Sequence, residues 1–553
     1  MSSLDSLREI IVSEDKRDNA ALRVKTAKDF QLPYIPFWND KPCLKHELWK
    51  DEFGVVKKGI PKPGCRKCGI LPRKHQKVGS MWLYLKHKAL LADSTGTGKT
   101  VNAALLIALM RMSGETSGKR KIIVVCRAPA IFQWRDELVR AMPDLNVEVA
   151  SGTKKERMQK YCFGWEVLVI GPQMLLNDKE ALENFNLAAV ITDDVDTLRN
   201  RKNKSAQAIR KLAASSPRTV IMSATPLQKR LPEMYGVLEP IGGIGLFGNE
   251  YRFLNRYVNT ERVTIPGQRL RPGQKPKTYM KMLGYKNINE FKTLISPLVL
   301  RRTPSDIDDV EMPAIVPNDV FLELYKPQRD KYEELREGVL KIVKSEGVQV
   351  KHAEALAKLI YGSQICTGLV SIGEEDLPNT AVKLDWIMDK LERGGDFSEE
   401  KVVIFANWKN SVRAIQNRLM NAGIGFETIW GENSDKAARK ASVDRFWDDP
   451  SCQVLLGTSA IEQSLNLQCA RHLINVDMIP NPARMTQLAG RISRDGSQHK
   501  TVYVHNLLTY DTQEENYLPV LEREQALIDT VWDSTSELFR QLSGLELLQL
   551  FSR

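Results

Sequence analysis

The sequence contains no uninterrupted apolar run long enough to cross a bilayer, which argues against a membrane-spanning protein. Its N-terminus, MSSLDSLRE, lacks the basic stretch and apolar core that are typical of a secretory signal. Only eight cysteines occur among 553 residues. In a cytosolic chain of this length they are not expected to form a disulfide framework, because the cytosol keeps thiols reduced. These absences predict a soluble protein of the cytoplasm, near the nucleoid of a bacterium or in a phage host, or of a nucleus where the source has one.

The length and charge of the chain narrow the class further. A chain of 553 residues is too long for one ordinary core and predicts two or three globular units. A formal net charge of +12 and a pI of about 9.1 fit a polyanionic partner such as nucleic acid. The charge alone does not separate a nucleic-acid binder from other basic proteins.

Changes in residue pattern divide the sequence into five segments. Residues 1–70 are polar and rich in Pro and Lys, which predicts a small accessory module. Residues 71–241 and 383–511 alternate short apolar runs with helix-like stretches, the pattern of a parallel α/β sheet buried on both faces. Residues 242–382 lack this rhythm and predict a mostly helical insertion. Residues 512–553 predict an amphipathic helical brace that packs back on the protein.

The apolar runs mark the expected strands of each α/β segment. The predicted strands are residues 89–92, 121–126, 167–170, 189–192 and 219–222 in the first segment, and residues 402–405, 425–429, 453–456, 472–476 and 501–505 in the second.

A glycine-rich stretch follows the first predicted strand. Residues 93–100 read DSTGTGKT and open a helix-like run, which is the context of a phosphate-binding loop. Backbone N–H groups would cradle the phosphates of ATP, the lysine would add positive charge, and the last hydroxyl would help to hold Mg²⁺. The alternative is a glycine-rich turn that only caps a helix. The predicted nucleotide contacts are Asp93, Ser94, Thr95, Gly96, Thr97, Gly98, Lys99 and Thr100.

An acidic cluster ends a later strand. Residues 190–196 read VITDDVD, so carboxylates follow a buried run. Asp193 is the candidate for the metal side of the site, and Asp194 the candidate for orienting the attacking water. The alternative is an acidic strand end that faces solvent, but the phosphate loop upstream favours the catalytic interpretation.

These two segments resemble motifs one and two of helicase superfamily two, and the wider pattern is similar to its Swi/Snf-type branch of double-stranded-DNA translocases. The resemblance covers residues 71–515 and implies two RecA-like lobes that bind ATP and Mg²⁺. In this branch an Ala-Asp pair stands at the start of the loop, as it does at Asp93.

Other motifs of the family can be matched in the first half of the chain. Residues 72–76, PRKHQ, make Gln76 the candidate for contacting adenine. Residues 122–134 resemble motif Ia, which is expected to touch the DNA backbone, and residues 223–228, SATPLQ, resemble motif three. Residues 299–302, VLRR, resemble the family's Leu-Arg-Arg signature, although paired arginines alone are usually solvated or salt-bridged.

The second half carries motifs four, five and six, at residues 403–407, 455–468 and 477–498. Motif six includes QLAGRISRDGSQ, which begins at the catalytic candidate Gln487. Arg491 and Arg494 stand one helical turn apart, so both can point from one face of the helix. The resemblance implies that they stabilise charge on the γ-phosphate when the lobes close.

One position departs from the family pattern. The family writes D-E-A-H where this chain has DDVD, so Asp194 stands in the place of a glutamate. Its carboxylate reaches about 1.5 Å less far, and a misplacement of that size slows chemistry strongly. We therefore expect slow turnover.

Four residues near the N-terminus have the spacing of a zinc knuckle. Cys43, His46, Cys65 and Cys68 form C-x(2)-H-x(18)-C-x(2)-C, and four protein ligands would make the site structural. The alternative is a set of unrelated surface cysteines, with His75 as a competing ligand. The five other cysteines are predicted to be core residues: Cys126, Cys162, Cys366, Cys452 and Cys469.

The sequence therefore favours a DNA-stimulated ATPase that moves along double-stranded DNA. Two alternatives stay open: a strand-separating helicase of the same superfamily, and a weakly catalytic DNA-binding scaffold, which the shortened Asp194 side chain motivates. Single-stranded DNA and RNA are the alternative partners. The compact length is similar to that of bacterial or phage family members, and the biological pathway is not predicted.

Overall fold

The computed structural model describes residues 48–50, 56–58, 72–117, 120–162, 164–193, 196–228, 230–264, 278–307, 312–346, 352–430, 436–461, 465–478, 481–494 and 497–532. The chain divides into two compact units. Unit 1 comprises Met1–Leu254 and Asn289–Met312, and unit 2 comprises Asn255–Ile288 and Pro313–Arg553.

The strands are numbered in chain order. They are β1 Leu48–Lys50, β2 Val56–Lys58, β3 Lys88–Leu91, β4 Lys121–Val125, β5 Val147–Val149, β6 Val167–Ile170, β7 Leu187–Asp193, β8 Thr219–Met222, β9 Val258–Thr264, β10 Thr278–Tyr285, β11 Val299–Leu300, β12 Ala314–Leu322, β13 Val402–Phe405, β14 Gly425–Ile429, β15 Cys452–Gly457, β16 His472–Asn475 and β17 Thr501–Thr509.

The α-helices are numbered in the same way. They are α1 Lys74–Lys86, α2 Lys99–Met112, α3 Ile131–Ala141, α4 Lys154–Cys162, α5 Pro172–Leu182, α6 Asp196–Arg199, α7 Lys204–Ser215, α8 Leu231–Leu238, α9 Gly243–Phe247, α10 Glu250–Tyr257, α11 Ile288–Ile295, α12 Lys326–Glu346, α13 His352–Thr367, α14 Val382–Leu391, α15 Lys409–Asn421, α16 Lys436–Asp448, α17 Pro482–Ile492 and α18 Tyr517–Trp532.

Unit 1 is built on a seven-stranded sheet in the order β11-β3-β8-β7-β4-β6-β5, and all its neighbouring pairs are parallel. Every residue of β6 and β8 is buried, because a parallel sheet is covered on both faces. The carboxyl ends of β3 and β7 therefore lie at the same edge of the sheet, separated by β8. This edge carries the predicted phosphate loop and acidic cluster.

Unit 2 contains a six-stranded parallel sheet in the order β12-β17-β16-β13-β15-β14. Its central strands β13 and β16 are entirely buried. Strands β9 and β10 form a separate antiparallel pair. Two parallel sheets with intervening helices confirm the predicted α/β fold class.

The strand predictions hold best at the centre of each sheet. Each of the ten predicted strands overlaps an observed one, whereas β1, β2, β5 and β9 to β12 were not predicted. The stretch 242–382, predicted as mostly helical, contains helices but also gives one edge strand to each sheet, β11 and β12. Strand β12 escaped prediction because residues 314–319 are exposed and include Pro317, features that a sheet tolerates at its edge.

Two further predictions concern cysteines and membranes. Cys126, Cys366 and Cys452 are buried as predicted, but Cys162 is exposed and Cys469 is half-buried, so the prediction that all five are core residues was wrong. Within the described ranges, no helix combines the length and apolarity that a bilayer crossing needs.

Candidate active site

The phosphate loop connects β3 to α2 at the carboxyl edge of the unit 1 sheet. Gly96 and Gly98 have φ angles of 83° and 81°, a left-handed conformation that glycine adopts without strain. A Cβ at Gly98 would lie 2.4 Å from Nε2 of Gln76, so a side chain there would displace Gln76 in addition to straining the backbone. Helix α2 begins at Lys99, so the partial positive charge of a helix N-terminus lies at the loop. This arrangement fits an anion-binding helix terminus.

Lys99 lies along the inside of this loop. Its Nζ donates to the backbone oxygens of Asp93 at 2.8 Å and Ser94 at 2.9 Å. Thr97 is buried and donates its hydroxyl to the same Ser94 oxygen at 3.0 Å. The Lys99 ammonium is thus held against the backbone at the start of the loop. The rest of the predicted loop contacts are half-buried: Ser94, Thr95, Gly96, Gly98, Lys99 and Thr100.

Gln76, the predicted adenine contact, packs against the loop from helix α1. Its Nε2 donates to the Thr97 oxygen at 3.0 Å, and its Oε1 accepts the Arg73 N–H at 2.9 Å. Nε2 of the neighbouring His75 lies 2.9 Å from the same Thr97 oxygen. Asn102 of α2 donates to the backbone oxygen of Gln76 at 2.8 Å. Helix α1 and the loop are therefore joined through one carbonyl.

Asp93 forms a buried ion pair with Arg302. The two guanidinium nitrogens Nη2 and Nε lie 2.5 and 3.1 Å from the two carboxylate oxygens, and Asp93 has no exposed surface. Arg302 also donates to the His75 oxygen at 2.7 Å. The arginines of VLRR were matched only by resemblance, and sequence reasoning did not pair Arg302 with the loop. The Asp93 side chain is directed at Arg302, so it holds the loop.

Asp193 ends strand β7 at the same sheet edge. The indole Nε1 of Trp134 donates to its Oδ2 at 2.9 Å, and Trp134 is only 3% exposed. The segment 122–134 was expected to touch DNA, but this residue of it is a core side chain that orients the acid. Asp194 lies outside the described residues.

The donor set at this edge suits Mg²⁺. Thr100 offers a hydroxyl and Asp193 a carboxylate, and Mg²⁺ prefers oxygen ligands together with substrate phosphates. Thr100 lies in the first turn of α2 after β3, and Asp193 is the last residue of β7; the carboxyl ends of these two strands share this edge of the sheet.

Asp196 gathers residues of several motifs and was missed by the sequence analysis. It forms ion pairs with Arg127 and Arg199, and its Oδ1 accepts from Gln228 at 3.2 Å. Arg199 also donates to the Thr225 backbone oxygen. The acidic motif and the SATPLQ turn are therefore connected by charge-assisted hydrogen bonds. The signal in the sequence was the fourth letter of DDVD.

The predicted arginines of unit 2 lie at the end of helix α17. The helix ends at Ile492, so Arg491 belongs to its last turn and Arg494 lies beyond it. Nε of Arg494 donates to the Gly490 oxygen at 2.8 Å. The two arginines do not share one helix face as predicted, because Arg494 folds back on the helix terminus. Gln487 is buried within α17.

A buried charged cluster supports the segment that leads into α17. Nζ of Lys383 lies 2.8 Å from Oε1 of Glu514, and both side chains have no exposed surface. Asp477 accepts the Asn407 N–H at 2.7 Å and the hydroxyl of Thr367. Burial raises the pKa of the Asp477 and Glu514 carboxyls, while the Lys383 charge acts in the opposite direction. The cluster thus fixes the chain just before the arginine helix.

The predicted zinc ligands Cys43, His46, Cys65 and Cys68 lie outside the described residues. In the part of the chain that the structure describes, no group of three or more His, Cys, Asp or Glu side chains could hold a metal ion.

Comparison with known proteins matches most of the chain. A family model described as the SNF2-related domain matches residues 75–369, and a second, described as the helicase conserved C-terminal domain, matches residues 383–496. YwqA of Bacillus subtilis, named as a candidate ATP-dependent helicase/translocase, is 26% identical over 493 residues, covering 87% of this chain and 50% of its own length. The RAD54-like DNA repair and recombination protein of Gallus gallus is 26% identical over 529 residues, covering 87% and 70%.

Among solved structures, the SWI2/SNF2 ATPase core of Sulfolobus solfataricus in complex with double-stranded DNA is 21% identical. The match covers 84% of this chain and 93% of the Sulfolobus chain, with a TM-score of 0.39. The chain spans about half the length of the first curated relatives it matches.

Proposed function

The chain belongs to the SNF2-related family, and from this premise we propose that it is a DNA-dependent ATPase that translocates along double-stranded DNA. The observation that carries the proposal is the phosphate loop of unit 1, with its left-handed glycines, its lysine and the helix terminus behind it. ATP is the substrate of this site.

The residues of unit 1 divide the work of phosphoryl transfer. The N–H groups of the loop and of the first turn of α2 bind the phosphates, and Lys99 moves its ammonium from the Asp93 and Ser94 carbonyls to phosphate oxygens. Gln76 contacts the base. Asp194 orients the attacking water.

Thr100 and Asp193 would hold Mg²⁺, which would supply positive charge against the charge that develops on the phosphates. Trp134 keeps the Asp193 carboxylate in one orientation by donating to one of its oxygens.

Arg491 stabilises the charge on the transferred phosphoryl group, and Gln487 and Arg494 assist it. An arginine that reaches the nucleotide only in one state of the protein makes hydrolysis depend on that state. Arg494 has the smaller share, since one of its N–H groups already serves the helix terminus.

Double-stranded DNA is the nucleic acid along which we propose that the protein translocates. A net charge of +12 suits a phosphate backbone, and relatives of this chain are named as a helicase/translocase and as DNA repair and recombination proteins. The coupling of hydrolysis to movement does not require that base pairs open.

The test is ATP hydrolysis measured with duplex DNA, single-stranded DNA, RNA and no nucleic acid, beside a Lys99→Ala control. We expect duplex DNA to stimulate hydrolysis most strongly. Triplex displacement then reports translocation. Hydrolysis equal to that of the Lys99→Ala control under every condition would contradict the proposal and favour a DNA-binding scaffold.

A strand-separating helicase is the second candidate, supported by the match of residues 383–496 to the helicase C-terminal domain. A forked duplex distinguishes the two activities. Efficient unwinding of the fork, without displacement of a triplex strand, would replace the translocase with the helicase.

The domain boundaries and the cytoplasmic location that the sequence predicts are further proposals. Structural zinc at Cys43, His46, Cys65 and Cys68 is another. Zinc content of the purified protein, compared with that of a Cys65→Ser/Cys68→Ser variant, tests this site directly.

A further inference from the structure

Residues 298–302, which precede the passage of the chain into unit 2 after Met312, are hydrogen-bonded to β3 and to the start of the phosphate loop. The Leu90 N–H donates to the Leu298 oxygen at 2.8 Å, and the Ala92 N–H to the Leu300 oxygen at 2.7 Å. The next bond in the series joins the Ser94 N–H to the Arg302 oxygen at 2.9 Å. The chain just after β11 thus runs beside the residues that follow β3, and Arg302 holds the start of the loop at Ser94.

The Arg302 side chain strengthens this attachment. It meets Asp93 with two parallel hydrogen bonds, the geometry that only a guanidinium provides. The pair is buried, so loss of the arginine leaves an uncompensated carboxylate beneath the loop. Helix α1 has a glycine where the arginine passes: a Cβ at Gly79 would lie 2.6 Å from Nη2 of Arg302.

Arg302 also reaches the other end of the loop through helix α1. Its Nη1 donates to the His75 oxygen, and His75 and Gln76 both bond the Thr97 carbonyl. One guanidinium is therefore connected to the start of the loop by Asp93 and to its end by α1. In the sequence, Arg302 stands a few positions before Met312, after which the chain enters unit 2.

We propose that Arg302 is a positioning residue for the nucleotide: it holds the phosphate loop in its binding conformation and connects that loop to the segment that enters unit 2. The inference rests on the proposed function in one respect, namely that the loop binds ATP. The competing explanation is a purely structural ion pair, which would lower stability without changing nucleotide affinity.

Unit 1 offers a matched control for that explanation. Arg157 and Asp178 form a second buried two-point pair, with distances of 2.6 and 2.8 Å. Arg157 lies on α4 and Asp178 on α5. These helices follow β5 and β6 at one end of the sheet, whereas the loop follows β3 near the other end. Breaking this pair costs comparable stability and leaves the loop attached.

The experiment compares Arg302→Ala, Arg302→Lys and Asp93→Asn with Arg157→Ala in the full chain. Three quantities are measured: the midpoint of thermal unfolding, the dissociation constant of a fluorescent ATP analogue, and KM and kcat for ATP. We expect the loop variants to raise the dissociation constant and KM about tenfold or more, with a smaller change in kcat. Arg302→Lys should recover part of the affinity, because it restores the charge without the two-point geometry.

Arg157→Ala should lower the unfolding midpoint and leave the dissociation constant unchanged. The inference is overturned if the loop variants are destabilised like Arg157→Ala but bind the analogue as wild type does. If Arg302→Ala does not fold, Arg302→Lys and Asp93→Asn decide by the same criterion. Failure of the wild-type chain to bind the analogue would instead remove the proposed function, before any variant is compared.

Discussion

The two units bury charge in different places relative to their functional residues. In unit 1 one of the buried pairs, Asp93 with Arg302, includes a residue of the phosphate loop itself. In unit 2 the buried pair of Lys383 and Glu514 lies behind the segment that leads to the arginine helix, and Lys383 donates to the Val476 oxygen of that segment at 2.9 Å.

This difference predicts how stability and chemistry are coupled in each unit. Removal of a buried charge beneath the loop changes the shape of the nucleotide site, so affinity and stability change together. Removal of a buried charge behind α17 weakens the fold of unit 2 and leaves the loop of unit 1 intact. Variants that separate binding, catalysis and stability test this difference between the units.

The largest expected effect is that of Arg491→Ala. We expect kcat to fall about a thousandfold, because an arginine that stabilises transferred phosphoryl charge contributes on that scale. The dissociation constant of ATP should stay close to that of wild type, since unit 1 supplies the groups that bind the phosphates. Single-turnover hydrolysis and analogue binding measure the two quantities.

Lys99→Ala is the companion variant, which should lose both affinity and hydrolysis. If Arg491→Ala lost ATP affinity to the same degree, the assignment of binding to unit 1 and of charge stabilisation to unit 2 would be refuted.

Lys383→Met should produce the largest effect on stability. Breaking a buried ion pair from one side costs about 3 kcal/mol or more, because the partner charge stays uncompensated. Burial already raises the Glu514 pKa, and the substitution raises it further. The folded state then holds a proton that the unfolded state releases, so the deficit relative to wild type should be larger at pH 8 than at pH 5. Denaturant unfolding at both pH values measures it.

The double variant Lys383→Met/Glu514→Leu is the control, because it removes both charges and should recover much of the loss. ATP affinity should be normal in every variant that folds. A single variant as stable as wild type at pH 8 would show that the pair does not stabilise unit 2.

The sequence predicted those parts of the site that are local in the chain. The loop at residues 93–100 and Asp193 could be identified because strand, turn and motif lie within a few residues of one another. Arg302 could not be paired with Asp93, because the two are separated by 209 positions and only the added strand β11 brings them together. The contact of Trp134 with Asp193 was missed for a similar reason, because the two residues are 59 positions apart.

The fold followed the same rule. Central strands such as β6 and β13 consist entirely of buried apolar residues and were found at their exact bounds. Edge strand β12 carries polar residues and a proline, so its identity depends on its neighbour β17 rather than on its own pattern. The course of Arg494 beyond the helix end likewise depends on a contact with Gly490 that spacing does not reveal.

A third, smaller effect is a loss of folding stability at acid pH. Burial lowers the pKa of both His472 and His505 to about 4, and Nδ1 of His472 lies 3.0 Å from Nε2 of His505. Asn318 lies 3.1 Å from the other nitrogen of His505, and this chain of hydrogen bonds suits neutral rings. Glu400 favours the charged form of His472, but it does not outweigh burial.

Because the folded pKa is depressed, the stability that depends on the neutral rings is complete above the unfolded pKa of 6.5 and is lost as pH falls towards 4. We expect a loss of about 2 kcal/mol for the coupled pair over this window. Denaturant unfolding between pH 7 and pH 4 measures it, with His472→Gln/His505→Gln as the reference. An identical slope in this variant would exclude the two histidines as the cause.

The smallest expected effect restores the family's residue in the acidic motif of unit 1. Asp194→Glu adds one methylene to the proposed water-orienting carboxylate, and we expect kcat to rise by about tenfold or less, since placement of the attacking group controls the rate on this scale. ATP affinity should not change, because the loop and Lys99 bind the phosphates. Asp194→Asn is the control and should lower kcat. A glutamate variant slower than wild type would mean that the site is built around the shorter side chain, and that slow turnover is not a consequence of Asp194.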